Sequence, residues 1–208
     1  MKFYGQGIPP VDKVLYESYF KDIKNGTLIE CGACDGLLES SCKFFEEFMG
    51  WDSINIEPVP FFYEKLIINR PNSTNLNVAL SNKTGTAEFI NAVHPNRGEN
   101  FGNGSLSHTQ KHLTNLKKMK CTFKKYIVKT LTFTDMIEKL QLKHIDLFVL
   151  DVEGHEEFVI NGMKDCSVLP KIMCIEHTTT KIDLNQLMCN LGYKLDQKVF
   201  VNSYFIKK

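Results

Sequence analysis

The chain has 208 residues, of which 43% are hydrophobic and 24% charged, and this is the composition of an ordinary globular protein. Its length predicts one well-buried α/β domain over residues 1–208 and is too short for two domains of usual size. The formal net charge of +1 excludes a general electrostatic argument for nucleic acid or an anionic membrane as a partner.

Seven cysteines in a chain without an apolar leader predict reduced thiols and a cytoplasmic location. Cys31 and Cys34 have C-x-x-C spacing, but no second pair completes a zinc site. We therefore interpret the cysteines as structural. No apolar run reaches the roughly 18 residues that a membrane span needs, so we expect no span.

The first half of the chain alternates between strand and helix patterns. Residues 1–26 are predicted as an N-terminal helical region, because the apolar residues from Val11 to Ile23 follow a helical period. Strands are then predicted at 27–31, 52–56 and 73–80, with helices at 37–49 and from Pro60 to Pro71. This order predicts one half of a doubly wound parallel sheet.

The second half begins with a short predicted strand at 86–91, after which the periodicity is lost. Residues 92–107 are rich in Asn, Gly, His and Pro, and a loop of this length in a compact domain is usually functional. We interpret 92–125, with a polar helix at 109–118, as an insertion beside the site. The remaining predicted elements are strands at 126–131, 145–150 and 171–175, helices at 132–140, up to Gly162 and at 183–190, and a terminal hairpin of 193–195 and 203–206.

A glycine-rich turn follows the first predicted strand. It has the spacing Glu30-x-Gly32-x-x-x-Gly36, which differs from the G-x-G-x-x-G of dinucleotide enzymes. Such a turn brings backbone N–H groups and a helix N-terminus up to a ligand. Glu30 and Asp35 suit a positively charged cofactor, and S-adenosylmethionine is the common cofactor that fits. Glu57 ends the next strand, where a doubly wound sheet places a carboxylate on ribose hydroxyls.

Acidic residues end the predicted strands at the edge where open α/β sheets bind ligands. These residues are Glu30, Glu57, Asp151 and Glu176. Asp151 and Glu153 lie two residues apart, so they share a face if the strand continues to Glu153. Each would then raise the pKa of the other, as suits a general base.

Histidines offer further candidates for the base, namely His108, His155 and His177. A hard divalent metal on Asp151, Glu153 and His177 is the competing interpretation, but no ligand pair stands out and we predict no metal. Structural alternatives are a helix N-cap for Asp151 and a favourable helix-dipole position for Glu153.

Four motifs resemble the FkbM-type S-adenosylmethionine-dependent methyltransferases, in the same order over nearly the whole chain. They are Glu30-Cys-Gly-Ala-Cys-Asp-Gly36, Ile56-Glu57-Pro58, Asn77-Val-Ala-Leu-Ser81 and Ile145-Asp-Leu-Phe-Val-Leu-Asp-Val-Glu-Gly-His-Glu156. The resemblance implies a doubly wound, Rossmann-like α/β fold. Its seven-stranded sheet would be mostly parallel with an antiparallel last strand and helices on both faces. The implied activity is O-methylation, most often of a sugar or glycan.

The resemblance also implies the site. S-adenosylmethionine, leaving as S-adenosylhomocysteine, would be bound by Gln6, Glu30, Gly32, Ala33, Asp35, Gly36, Glu57, Pro58, Asn77, Ala79, Ser81 and Asp151. A sugar or glycan acceptor would contact Ser105, His108, Glu176 and His177. The base would be Asp151, Glu153, His155 or His108. The enzyme would act alone or within a larger glycan-synthesis assembly.

Other functions stay open at this point. A NAD-dependent oxidoreductase shares the sheet but needs a different glycine spacing. A non-catalytic domain with a degenerate cofactor site would not need so many acids at one edge. A methyltransferase acting on a protein or on a non-sugar small molecule fits the same motifs. Nucleic acid is disfavoured as an acceptor because Arg70 and Arg97 are the only arginines.

Overall fold

A computed structural model of the chain describes residues 1–177 and 183–208. The strands in these residues form two sheets. In chain order they are β1 (Thr27–Cys31), β2 (Asp52–Ile56), β3 (Thr74–Leu76), β4 (Ala79–Leu80), β5 (Gly85–Val93), β6 (Gly104–Ser105), β7 (Thr122–Leu131), β8 (Leu147–Leu150), β9 (Ile172–Glu176), β10 (Tyr193–Val199) and β11 (Asn202–Lys207).

The central sheet has seven strands in the order β10-β11-β9-β8-β1-β2-β3. The strands from β9 to β3 are paired in parallel, whereas β11 runs antiparallel to both β9 and β10. In the middle of the sheet, Ile29 lies opposite Ile54 on one side and Phe148 on the other. The predicted α/β class with a mostly parallel central sheet is confirmed.

Helices accompany the sheet, and three of those in the described residues, α4, α5 and α7, begin with a capping side chain. Their bounds are α1 (Val11–Leu15), α2 (Lys43–Met49), α3 (Pro60–Asn69), α4 (Gln110–Lys118), α5 (Phe133–Leu140), α6 (Glu156–Asn161) and α7 (Leu184–Asn190). Thr132 caps α5, because its hydroxyl accepts from the Asp135 N–H at 3.0 Å. None of the helices in the described residues is long and apolar enough to cross a membrane.

Two apolar cores are divided between alternate residues of β1. Ile29 belongs to a core that includes Phe133 and Phe148, whereas Leu28 belongs to another that includes Phe44 and Trp51. Successive side chains of a strand point to opposite faces, so both faces of the central sheet are covered. A sheet buried in this way presents its ligand site at the strand ends rather than on a face.

The second sheet has the order β4-β7-β5-β6, and much of it was not predicted. The predicted strand 73–80 is in fact two strands in different sheets, β3 and β4. The predicted strands at 86–91 and 126–131 are longer, because β5 and β7 pair over nine residues each. The stretch 92–107 also contains β6, which pairs with β5.

Two helix predictions need correction. The helix predicted at 37–49 begins only at Lys43, because the Glu30 carboxylate accepts from the Ser40 hydroxyl and the Ser41 N–H and holds this segment against β1. In the N-terminal region, α1 ends at Leu15 and a π-helical turn, Tyr16–Phe20, continues it.

A buried arginine connects the end of α3 to the glycine turn and to α2. Arg70 is fully buried, its Nε donates to Glu46 at 2.6 Å, and its guanidinium lies 3.6 Å from the Glu30 carboxylate. It also donates to Ser53 at 3.0 Å. Because buried charges need partners, this network fixes Glu30 in a supporting position beneath the turn.

Replacement of Arg70 tests this network. We expect Arg70→Ala to lower the free energy of unfolding by about 3–5 kcal/mol, because it leaves buried carboxylates without their cation. Urea unfolding measures the change. The matched control is Glu64→Ala, an exposed position on the same helix, which should change stability by less than about 0.5 kcal/mol. Equal losses in the two variants would contradict this account of Arg70.

Candidate functional site

Two adjoining clefts lie at the carboxyl edge of the central sheet. The first contains about 890 Å³ of empty space and the second about 1220 Å³, both open to solvent. Residues that line both clefts are Gln6, Glu39, Phe101, Asn103 and Glu153. A ligand in one cleft would therefore border a ligand in the other.

The first cleft has an acidic part and an apolar part. Gly32 and Asp151, at the ends of β1 and β8, line it together with Glu57 and Glu153. Its apolar lining comes from α3, from β4 and from the second sheet, namely Val59, Phe62, Ala79, Leu80, Phe89 and Leu106. This division suits a ligand that carries a positive charge at one end and a flat apolar group at the other.

Gly32 is required by a close approach of two backbone segments. Its φ is +96°, and a Cβ at this position would lie 2.0 Å from the Asp151 carbonyl oxygen. The N–H groups of Gly32 and Ala33 both donate to the Ile56 carbonyl at 3.1 Å. The turn is thereby joined to the ends of both neighbouring strands.

Glu57 holds the loops around the middle of the first cleft. Its carboxylate accepts from the backbone N–H of Cys34 at 3.0 Å and of Val59 at 2.8 Å. Burial raises the pKa of Glu57 to about 8, although these two hydrogen bonds oppose the shift. Asn77 donates to the carbonyls of Glu57 and Pro58, at 2.9 and 3.1 Å, and so supports the loop from behind.

Asp151 and Glu153 are the acids closest in sequence to the end of β8. Burial, followed by the charges of Glu176 and Glu153, raises the pKa of Asp151 well above its ordinary value. Burial and the charges of Glu176 and Glu156 raise the pKa of Glu153 to about 8. The strand ends at Leu150 and Glu153 has a φ of +54°, so the condition for a shared strand face is not met.

His155 connects the loop after β8 to the insertion. Its Nε2 lies 3.0 Å from the Ser81 hydroxyl, and its Nδ1 lies 2.6 Å from the Ser107 hydroxyl. The ring stacks on Phe158, with the centroids 4.6 Å apart. Burial lowers the pKa of His155 to about 4, so the ring is neutral at physiological pH.

His112 was not predicted, yet it lines the second cleft beside Glu153. Its Nδ1 lies 3.5 Å from a Glu153 carboxylate oxygen and 3.3 Å from His108 Nδ1. Its Nε2 lies 3.2 Å from the Asn103 side-chain oxygen. The signal in the sequence was the spacing of four between the two histidines, which places both on one side of a helix start.

The structure brings about half of the predicted site residues to the clefts. Gln6, Gly32, Glu57, Pro58, Ala79, Asp151, Glu153 and His155 line the first cleft, and Gln6, Glu153 and Glu176 line the second. Ser105 lies just behind this lining, where its hydroxyl donates to the Val152 carbonyl at 3.0 Å. The candidate bases Asp151, Glu153 and His155 are thus brought together.

In the part of the chain that the structure describes, the other predicted residues do not line either cleft. Glu30 points to Arg70, and Asp35 accepts from the N–H groups at 37 and 38, at 3.0 and 2.7 Å. Gly36 packs so closely that a Cβ would lie 2.7 Å from the Arg70 side chain. His177 Nδ1 lies 3.2 Å from the Ser203 hydroxyl. The remaining ones are Ala33, Asn77, Ser81 and His108.

Asn91 is a further residue that the sequence did not reveal. It lines the first cleft, its side chain is fully buried, and neither polar atom makes a hydrogen bond of ordinary geometry within the described residues. The neighbouring Glu99 carboxylate accepts from Lys124 and Tyr126. Asn91 and Phe89 lie two residues apart on β5, so both side chains are on the same face of the strand and both line the first cleft. The sequence did not reveal this, because it depends on how β5 pairs within the second sheet.

No metal centre is evident in residues 1–177 and 183–208. Among them, no group of three or more His, Cys, Asp or Glu side chains is arranged to hold an ion.

The fold and clefts define an α/β protein with two open clefts at the carboxyl edge of its central sheet, the edge at which open parallel sheets bind ligands. The family model of the methyltransferase FkbM domain matches residues 30–195. The chain therefore belongs to the FkbM methyltransferase family, as the motifs indicated.

A solved structure shows the same fold. The crystal structure of methyltransferase FkbM from Methylobacillus flagellatus KT is similar with a TM-score of 0.57 at 13% identity; the match covers 95% of this chain and 48% of that one. This chain thus spans about half the length of that protein. A TehB-like SAM-dependent methyltransferase from Corynebacterium glutamicum ATCC 13032 Kitasato gives 0.47 at 10% identity, covering 95% and 88%. A comparison with curated protein sequences finds no match.

The raised pKa values predict how stability depends on pH. Glu57 and Glu153 each have a pKa of about 8 in the folded chain, against an ordinary value of 4.5 for a glutamate carboxyl. Their contribution is complete below the ordinary value and is lost as the pH rises through about 8, at up to about 1.4 kcal/mol per pH unit for each group. Urea unfolding of the ligand-free protein should show this decline.

A variant of Glu57 tests its contribution to this pH dependence. Glu57→Gln should make the slope of unfolding free energy against pH shallower between about pH 5 and about pH 8, since a neutral amide has no proton to lose. Glu64→Gln, at an exposed position, is the control and should keep the wild-type slope. A Glu57→Gln protein with an unchanged slope would show that Glu57 titrates normally.

Proposed function

We propose that the protein is an S-adenosylmethionine-dependent O-methyltransferase whose acceptor is a hydroxyl of a sugar or glycan. The observation that supports this function best is the first cleft, in which buried carboxylates and an apolar, partly aromatic wall face the same space. Membership of the FkbM family supports methyl transfer. The hydroxyl and the sugar are inferred from the clefts and from the resemblance of the motifs.

The first cleft fits the cofactor in its charge. Asp151 lies at the end of β8, and burial strongly disfavours its anionic form in the empty cleft. A ligand with an ammonium and a sulfonium would remove that penalty, because a nearby positive charge stabilises a buried carboxylate. Gly32 and Asp151 both line this part of the cleft, and their close approach keeps the end of β1 beside the Asp151 carboxyl.

The opposite part of the cleft fits the base of the cofactor. Val59, Phe62, Ala79 and Phe89 belong to one apolar cluster that lines it. The buried amide of Asn91, which lies beside the Glu99 carboxylate, offers a donor and an acceptor, and an adenine edge presents the complementary pair. A ligand that pairs with both atoms would gain affinity, because neither atom makes a hydrogen bond of ordinary geometry within the described residues.

Each part of the chain then has a function toward the bound cofactor. Asp151 would face its amine, Glu57 its ribose and the apolar cluster its adenine. The cofactor supplies a methyl group on a sulfonium, which an oxygen nucleophile of the acceptor attacks. The protein holds that oxygen in line and excludes water, and such positioning accounts for much of the rate in a reaction of this kind.

The second cleft suits a polar acceptor. It is wide, open to solvent and lined by acids, His112, Asn115 and the cations Arg97 and Lys111. Most of these residues come from 92–125, which we infer to be the acceptor-side insertion of a domain that spans residues 1–208. Glu153 borders both clefts, so a hydroxyl beside it would be close to the transferred methyl group.

Cofactor binding is the first test. Titration calorimetry should show that the purified protein binds S-adenosylhomocysteine at one site per chain. Glu57→Gln should weaken binding about two- to tenfold near pH 7, because Glu57 is largely neutral there and a hydrogen bond between neutral groups contributes about 0.5–1.5 kcal/mol. Glu64→Gln is the matched control and should bind as the wild type does. Equal affinities in wild type and Glu57→Gln would remove Glu57 from the ribose site.

Methyl transfer to an acceptor is the second test. Mass spectrometry of a panel of free sugars and short glycosides should reveal a product heavier by one methyl group. Glu153→Gln should lower kcat by about 10²- to 10⁴-fold, the usual contribution of a general base, with little change in cofactor affinity. Glu88→Gln, exposed on β5, should leave kcat unchanged. Normal turnover in Glu153→Gln would assign the base to another residue.

A further inference from the structure

Three titratable side chains meet where the two clefts adjoin. His108 precedes α4 and His112 lies in its first turn, and their rings pack edge to face with centroids 4.9 Å apart. Glu153 approaches them from the loop after β8. The contact brings three nitrogen or oxygen atoms together, namely both Nδ1 atoms and one carboxylate oxygen.

The outer nitrogen of each ring must carry a hydrogen. His108 Nε2 lies 3.0 Å from the Ile90 carbonyl, which can only accept. His112 Nε2 lies 3.2 Å from the Asn103 side-chain oxygen. That amide cannot be reversed without loss, because its nitrogen already donates to the Phe101 carbonyl at 3.0 Å. Both Nε2 atoms are therefore donors.

The inner nitrogens are consequently bare when the rings are neutral. A neutral imidazole has one N–H, so each Nδ1 presents a lone pair. These two lone pairs lie 3.3 Å apart, and the Glu153 oxygen lies 3.5 Å from His112 Nδ1. His112 Nδ1 thus has one acceptor on each side, and the repulsion among these lone pairs is relieved when a proton lies between two of the groups, whereas a second proton would repel the first. The geometry therefore favours one proton for the three groups.

The directions in which the three pKa values are shifted also favour a single proton. Burial and the charge of His108 lower the pKa of His112 to about 4, burial lowers that of His108, and burial raises that of Glu153 to about 8. One proton, on the carboxyl or between the rings, leaves the group neutral. The other charged side chains that face Glu153 or line this part of the second cleft are Glu39, Arg97, Lys111, Asp151, Glu156 and Glu176.

We propose that Glu153, His112 and His108 share one proton at the boundary of the clefts, and that this group takes up the proton lost by the acceptor hydroxyl. The second part rests on the proposed function. A cationic cofactor in the first cleft, which Glu153 also lines, would favour loss of the shared proton. The group is then an anion next to the acceptor.

The transfer is balanced. The hydroxyl proton passes to Glu153, and a lone pair of the acceptor oxygen forms the new bond to the methyl carbon. The bond from that carbon to sulfur breaks, and its electron pair stays on sulfur, which becomes neutral. Loss of the positive charge raises the proton affinity of the three groups again. His112 and His108 act here as positioning residues through Glu153.

Protonation is measured on the full-length, ligand-free chain by long-range ¹H–¹⁵N NMR with ¹⁵N-labelled histidine. Near pH 9, above the ordinary histidine range, we expect His108 and His112 both to carry hydrogen on Nε2. As the pH falls, both Nδ1 signals should respond to the same proton. Glu153→Gln should abolish this shared step above about pH 6, while His144, which is half-exposed, titrates as before.

The same spectra can overturn the inference. Hydrogen on Nδ1 of either ring near pH 9, or identical titration of His108 and His112 in wild type and Glu153→Gln, would show that no proton is shared. We expect Glu153→Gln to fold, because Gln has the size of Glu. The signals of the other histidines show whether the variant is folded.

Kinetics test the second part. With any acceptor that the protein methylates, His112→Gln should lower kcat at least about tenfold and shift the rising limb of the kcat–pH profile, with unchanged affinity for S-adenosylhomocysteine. His144→Gln is the control and should change neither. An unshifted limb would overturn proton uptake by this group. A chain that shows the NMR pattern but binds no S-adenosylhomocysteine would refute the proposed function and leave the shared proton standing.

Discussion

The close contact between Gly32 and the Asp151 carbonyl fixes how the loops that follow β1 and β8 lie against each other at the carboxyl edge of the sheet. With a Cβ only 2.0 Å from that oxygen, any other residue at 32 would push the ends of β1 and β8 apart. The contact holds the glycine turn against the loop that carries Asp151 and Glu153. Because Ala33 and Gly32 also donate to Ile56, the end of β2 is held in the same unit.

The pKa values of the three acids in and beside that unit are all raised. Glu57, Asp151 and Glu153 are all drawn into a poorly solvated space, where burial is the main cause of their raised pKa values. Arg70, the buried cation nearby, is paired with Glu30 and Glu46 on the other side of the turn. Because Arg70 is engaged there, it does not offset the burial of the three acids, which therefore hold their protons more tightly than exposed carboxyls do.

Local patterns predicted the elements whose contacts are local. The strands at 27–31 and 52–56 and the helix at Pro60 follow from periodicity and from proline and glycine signals, and they match the structure. The second sheet was missed because β5 and β7 pair across the long 92–121 segment, and no local pattern records that pairing. The same holds for 37–42, whose conformation depends on Glu30.

For the site, the motifs located the right edge of the sheet but not the direction of each side chain. Asp151, Glu153 and Glu57 could be predicted because strand ends meet at that edge. Glu30 was predicted to face the ligand, but its carboxylate pairs with Arg70 and does not line either cleft. His112 and Asn91 depend on how α4 and the second sheet fold over the cleft, which only three-dimensional packing decides.

The second sheet has a consequence for the evolution of this protein. The residues of β5, β6 and α4 that cover the clefts, from Phe89 to Met119, come from one continuous stretch of chain. The glycine turn and the acids after β8 come from other segments and belong to the central sheet. Evolutionary replacement of that one stretch would change the lining of the second cleft and leave the acids at the strand ends of the central sheet in place, so the two parts of the site can vary independently.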